Sequence, residues 1–124
     1  MSFDWSDYLD LARELYKQGA VHSSKEAELR SAISRAYYAA FCNARNHLVT
    51  KGHKLSEGPE AHTEVQDKFT ASSDRRRKEI GENLKRLRTL RNRADYRNAF
   101  PGLTKATVAS IALADDIISD LGKL

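Results

Sequence analysis

The chain has 124 residues, and its 21 Lys and Arg against 17 Asp and Glu give a formal net charge of +4. This length predicts a single domain over residues 1–124 with a sizeable apolar core. The one cysteine, Cys42, excludes a disulfide bond within the chain, and no apolar run approaches the roughly 20 residues of a membrane-spanning helix. The acidic start lacks the basic and apolar regions of a signal peptide, so we expect a cytoplasmic protein with no membrane partner.

Two helices are predicted in the first half of the chain. Apolar residues between Trp5 and Tyr16 recur at steps of three and four, and a longer stripe rich in alanine extends from Leu29 to Leu48. Alanine at this density allows a neighbouring helix to approach closely. Asp4 is the predicted N-cap of the first helix and Gly19 its predicted stop. Ser23 and Glu26 form a capping box that opens the second helix, which is predicted to run to about Thr50 or Lys51 before Gly52.

Three further helices are predicted in the second half, and no stretch alternates with the period of a β-strand. A loop is predicted over 52–59, followed by a third helix from about Glu60 to Thr70 and a fourth from Asp74 to about Arg97. A break is predicted at Pro101 and Gly102, and Thr104 is the predicted cap of a last helix. The sequence therefore predicts an all-α fold, an up-and-down helical bundle of four to five helices.

The fourth helix carries an arginine on its apolar face. Ile80, Leu84, Leu87 and Ala94 line up at steps of three and four, and Arg91 lies in the middle of this stripe. A guanidinium group directed at a core costs several kcal/mol unless it is paired. Arg91 is therefore either balanced by a structural partner or used in a functional site.

The same helix concentrates the positive charge of the chain. Residues 75–97 contain ten Lys and Arg against three Asp and Glu, a local excess larger than that of the whole chain. A basic face favours a polyanionic partner, nucleic acid first, although a solvated surface kept for solubility is the alternative. The candidate RNA-binding residues are Arg75, Arg76, Arg77, Arg88, Arg93 and Arg97.

Sequence motifs for metal or phosphate binding are absent. The chain has no glycine-rich phosphate loop, no cysteine pair with metal spacing and no HExxH or GxSxG pattern, so we predict no metal and no cofactor. His53 and His62 flank the same loop and are interpreted as exposed loop residues rather than metal ligands. Asn43 and His47 lie on the apolar stripe of the second helix, either as satisfied buried groups or as residues supporting a site.

Two segments resemble a known family. The segment SRAYYAAF, residues 34–41, is followed some fifty residues later by LRNRADY, residues 90–96. In this order and spacing they resemble the HEPN superfamily, and more narrowly its small branch with an Arg-x-x-Ala-Asp-Tyr signature. The resemblance implies an all-α bundle that forms a homodimer and a metal-independent ribonuclease acting as a toxin or defence effector. It also implies a nucleotidyltransferase antitoxin as a partner.

The catalytic motif of that family combines an arginine, a polar residue and, after a short gap, a histidine on one late helix. Arg91 and Asn92 match its first two positions, whereas Asp95 and Tyr96 occupy the part of the helix where the histidine would lie. The resemblance thus implies a catalytic set of Arg91, Asn92 and Asp95 in a cleft between two protomers. In related toxins a nearby tyrosine is nucleotidylated, which makes Tyr96 a candidate modification site.

Two alternatives to a ribonuclease stay open on the sequence. The absent histidine is consistent with a catalytically inactive HEPN domain that binds RNA, a nucleotide or a protein partner through the same cleft. A purely structural role is the other alternative, because Arg91 and Asp95 lie one helical turn apart and are placed to form an ion pair.

Overall fold

A computed structural model describes residues 2–19 and 25–124, and helices are the only regular secondary structure over these ranges. Of the described helices, none combines the length and apolar character needed to cross a membrane. The all-α prediction is confirmed. The five helices are α1 (Asp7–Gly19), α2 (Lys25–Thr50), α3 (Glu60–Thr70), α4 (Arg75–Tyr96) and α5 (Leu103–Leu121).

Helix ends follow the predicted capping residues in some places and not in others. Asp74 caps α4 by accepting the N–H of Arg77 at 3.0 Å. Asp4 instead accepts the N–H of Ser6, so it closes the turn that precedes α1. The prediction that Thr104 caps the last helix is wrong, because α5 begins at Leu103 after Gly102. A φ of 73° at Gly102 puts the helix entry in a conformation that glycine adopts readily. The predicted capping residue Ser23 lies outside the described residues.

The alanine-rich helix α2 is the centre of the bundle. It packs against α1, α4 and α5, while α3 packs mainly on α4. Ala32, Ala36, Ala40 and Ala44 are fully buried, as the predicted stripe requires. Their small side chains let the neighbouring helices pack closely around α2. Cys42 is buried in the same core as a free thiol.

The crossing of α3 over α4 depends on Gly81. A Cβ atom at this position would lie 2.6 Å from the backbone nitrogen of Thr70, closer than packed atoms approach. Glycine therefore allows α3 to rest on the backbone of α4. This close crossing fixes the side chains of α3 relative to the arginines of α4.

Candidate functional site

Arg91 is paired on three sides. Its Nε donates to Asp95 Oδ2 at 2.8 Å, Nη1 donates to Asn92 at 3.3 Å, and Nη2 donates to the hydroxyl of Tyr38 at 2.7 Å. The side chain keeps 14% of its surface exposed. The rings of Tyr38 and Tyr96 lie 5.1 and 5.6 Å from the guanidinium carbon, within the range of cation–π attraction. The charge on the apolar stripe is therefore balanced, and one edge of it still reaches solvent.

The two sequence segments that resemble HEPN motifs meet at this arginine. Ser34 from α2 donates to the Oδ2 of Asp95 at 3.3 Å, the same oxygen that binds Arg91. Tyr38, one turn further along α2, binds the other side of the guanidinium group. Residues far apart in sequence thus form one chain of hydrogen bonds between α2 and α4, and this chain fixes the orientation of Arg91.

Arg91 opens into a groove with a volume of about 970 Å³ between α2, α3, α4 and the loop at 52–59. We call it the Arg91 groove and define it by six of its lining residues, Arg35, Arg45, His62, Arg88, Arg91 and Tyr38. Among the described residues, Glu57 is the only carboxylate that lines it. The groove is therefore strongly cationic, although only Arg88 among the predicted RNA-binding residues contributes to it.

Aromatic rings hold two of the groove arginines in place. The guanidinium carbon of Arg35 lies 4.7 Å from the ring centroid of Tyr8, and that of Arg45 lies 5.5 Å from the Trp5 ring. Both rings line the groove as well. Guanidinium groups beside aromatic faces offer phosphate oxygens a donor and nucleobases a stacking surface. This combination is typical of surfaces that bind single-stranded nucleic acid.

The interpretation of His62 as an exposed loop residue is wrong, because His62 lies on α3, is half-buried and lines the groove. Its Nδ1 lies 2.5 Å from the hydroxyl oxygen of Tyr37, and its ring stacks on Phe41 with centroids 4.3 Å apart. Burial, followed by the charges of Arg88 and Arg91, lowers the pKa of His62 below its usual 6.5. The imidazole is therefore mainly neutral at pH 7.

A family model described as the HEPN domain matches residues 6–123. The chain belongs to the HEPN domain family. No curated protein matches the chain, and no solved structure matches it. The match covers all five helices, so the HEPN domain includes both the Arg91 groove and the opposite end of α4.

The other predicted RNA-binding residues of this HEPN domain lie outside the groove. Arg75, Arg76 and Arg77 line a separate cavity of about 670 Å³ at the start of α4, together with Lys123. At about 1.5 Å per residue, this cluster lies about 21–24 Å from Arg91 along the helix axis. Arg93 and Arg97 are exposed near the end of α4 and do not line the groove. The predicted basic face is thus divided between separate parts of the surface.

The predicted supporting residues Asn43 and His47 do not line the groove either. Asn43 donates to the carbonyl of Ala39 and to the hydroxyl of Ser6. His47 lies beside Phe69, and its buried Nε2 has no hydrogen-bond partner among the described residues. Burial is the main cause that lowers the pKa of His47. The described residues also contain no group of three or more metal-ligating side chains.

Arg30 is a further residue that the sequence analysis missed. Its Nη1 donates to the carbonyls of Ala94 at 2.9 Å and Arg97 at 2.6 Å, and its Nη2 donates to that of Asn98 at 3.2 Å. These carbonyls lie at the negative end of α4, where helical partners are lacking. Arg30, Ser34 and Tyr38 follow at steps of four, a spacing that indicates one shared face of α2 directed at α4.

Proposed function

We propose that this HEPN protein is an RNA-directed effector that binds single-stranded RNA in the Arg91 groove and cleaves it by a metal-independent, ribonuclease-type reaction. The observation that carries the proposal is the groove itself, in which four arginines alternate with aromatic rings. Phosphates bind the guanidinium groups and bases stack on the rings, as single-stranded RNA requires.

Arg91 is the proposed contact to the reacting phosphate. A guanidinium group has five N–H donors, and three of them bind Asp95, Asn92 and Tyr38. The remaining donors can bind phosphate oxygens and stabilise the negative charge that develops on the non-bridging oxygens during attack by the 2′-hydroxyl. Asn92 and Asp95 act as positioning residues, since both bind Arg91 and neither needs to touch the RNA for this role.

A cleavage assay tests the proposed reaction. The protein is incubated with single-stranded RNA in the presence of a metal chelator, and the ends of the products are identified. We expect 2′,3′-cyclic phosphate and 5′-hydroxyl ends, because the O2′–P bond forms as the P–O5′ bond breaks. Solvent water takes the proton of the 2′-hydroxyl and supplies one to the departing 5′-oxygen. Absence of cleavage, or activity that the chelator abolishes, would contradict the proposed reaction.

RNA binding without cleavage is the second candidate. The observation that favours it is the composition of α4, which has Asp95 and Tyr96 in the region where the family motif has a histidine. The Oδ2 of Asp95 also accepts hydrogen bonds from Arg91 and Ser34, so this oxygen is already occupied and is poorly placed to contact a 2′-hydroxyl. Tight binding of intact RNA, with no cleavage over long incubation, would support this candidate.

We also propose that two protomers place their Arg91 grooves in one cleft and that a nucleotidyltransferase antitoxin restrains the protein. Tyr96 supports the second part, because 73% of its surface is exposed beside Arg91. A nucleotidyl group on its hydroxyl would put a phosphate next to that guanidinium group and block the groove.

Light scattering that shows a monomer would contradict the shared cleft. Equal modification of the wild-type protein and Tyr96→Phe by the antitoxin would contradict the assignment to Tyr96.

A further inference from the structure

The hydrogen bond between Tyr37 and His62 determines what His62 presents to the groove. Tyr37 is buried, and this bond is the only one its hydroxyl makes among the described residues. A buried hydroxyl that only accepted a hydrogen bond would leave its own hydrogen without a partner, at a cost that folded proteins avoid. The hydroxyl of Tyr37 therefore donates to Nδ1 of His62. Burial, which strongly raises the pKa of Tyr37, also keeps the phenol protonated.

This assignment fixes the tautomer of the imidazole. Because Nδ1 accepts the hydrogen of Tyr37, the hydrogen of neutral His62 is on Nε2. Nε2 has no hydrogen-bond partner among the described residues, and His62 lines the Arg91 groove. Stacking on Phe41 restricts rotation of the ring. His62 thus offers the groove a fixed N–H donor.

The charged groups around His62 favour an anion at this donor. Arg88 and Arg91 of α4 are the charges that act on it most strongly, and Tyr37 is its neighbour on α2. The loop at 52–59 contributes Glu57 to the wall of the groove. Two guanidinium groups and one N–H group form a set of donors, which suits a phosphate and leaves a cation without ligands.

We propose that His62 donates a hydrogen bond from Nε2 to the RNA phosphate that Arg91 binds, so that Arg88, Arg91 and His62 form one phosphate subsite. This inference rests on the proposed RNA binding and adds a residue that recognises the ligand. A bound phosphate favours the imidazolium relative to the free protein, because the charged ring donates to it more strongly from Nε2. On protonation Nδ1 becomes the donor and the Tyr37 hydroxyl the acceptor, so the imidazolium forms against the cost of leaving the hydrogen of that hydroxyl without a partner. The affinity for RNA therefore increases as the pH falls through the titration of His62.

Nuclear magnetic resonance of histidine-labelled wild-type protein tests this inference directly. The probe is a short 2′-O-methylated single-stranded RNA, which lacks the nucleophile for cleavage. We expect saturation with this RNA to raise the pKa of His62 by about 1, whereas the exposed His53 serves as the matched control and does not change. By linkage, RNA then binds about tenfold more tightly at a pH well below the pKa of His62 in the free protein than at a pH well above its pKa in the complex. An unchanged His62 pKa on an RNA-bound protein would overturn the inference.

Variants separate this inference from the proposed function. His62→Phe keeps a ring against Phe41, and we expect the RNA affinity of this variant to lose its pH dependence. His53→Gln is the control, and its RNA affinity should keep the pH dependence of the wild-type protein. Arg91→Ala should weaken RNA binding at every pH. If Arg91→Ala weakens RNA binding but His62→Phe keeps the pH dependence of RNA affinity, the role of His62 is overturned and the proposed RNA binding stands. Wild-type protein that binds no RNA would overturn both proposals.

Adenosine 5′-monophosphate distinguishes the source of the phosphate. This nucleotide has a phosphate group like that of RNA but can occupy only one subsite, whereas RNA binds several at once. We therefore expect it to raise the pKa of His62 only at concentrations far above those of the RNA. A change caused by this nucleotide and not by the RNA would assign the subsite to mononucleotides and overturn the inference.

Discussion

The two ends of α4 carry similar numbers of arginines but organise them differently. At the start of the helix, Arg75 and Arg76 are exposed and share their cavity with Asp74 and Glu79. At the other end, Arg91 is held by three hydrogen bonds. An arginine that is already fixed loses less conformational entropy when a ligand binds. Charge density is therefore similar at the two ends, and the difference is that Arg91 is fixed and also lines a groove.

The largest expected effect is a difference in RNA cleavage between variants at the two ends of α4. Arg91→Ala should reduce RNA cleavage by at least about 100-fold, because it removes the cation at the reacting phosphate. Arg76→Ala, the matched control on the same helix, should leave the cleavage rate within about twofold. Rates measured on one RNA at one salt concentration provide the comparison.

The same pair of variants addresses the structural role of Arg91. Loss of its hydrogen bonds should lower the free energy of unfolding by about 1–2 kcal/mol, which a stable domain tolerates. Global unfolding of Arg91→Ala, or equal losses of activity in both variants, would favour a purely structural role for the Arg91–Asp95 ion pair.

A second prediction concerns how the C-terminal end of α4, which carries Arg91, is held. Arg30→Ala should lower the free energy of unfolding by about 2–3 kcal/mol, because it leaves carbonyl groups at the end of α4 without their charged donor. Arg13→Ala is the control, since the ion pairs of Arg13 with described residues are exposed and their loss should cost less than about 1 kcal/mol. Chemical denaturation measures both. Equal costs would show that Arg30 does not stabilise the end of α4.

The smallest expected effect is on the salt dependence of RNA affinity. Replacing Arg75, Arg76 and Arg77 together by alanine should reduce the slope of log affinity against log salt by about 2, since each phosphate contact contributes about 0.7 for single strands. The corresponding triple lysine variant should keep the slope. Cleavage of bound RNA should not change in either variant. An unchanged slope in the alanine variant would confine the RNA to the Arg91 groove.

The helices and their buried faces could be predicted because both depend on local periodicity. The stripe from Leu29 to Leu48 and the bounds of α3 agree with the structure. The start of α5 was predicted incorrectly, because Thr104 has the chemistry of a cap but Gly102 has the backbone conformation that the entry requires. Local preferences compete at such positions, and the path of the preceding turn decides between them.

By itself the sequence determined the all-α bundle, the unusual place of Arg91 on an apolar stripe and the pair of motifs that resemble HEPN domains. These features are encoded at separations of three and four residues or as short local patterns. Only the tertiary structure decided which arginines share a groove, and only it brought His62 of α3 beside Arg88 and Arg91 of α4. The reason is that a contact between helices depends on their crossing, here on the space left by Gly81, and no spacing along the chain specifies it.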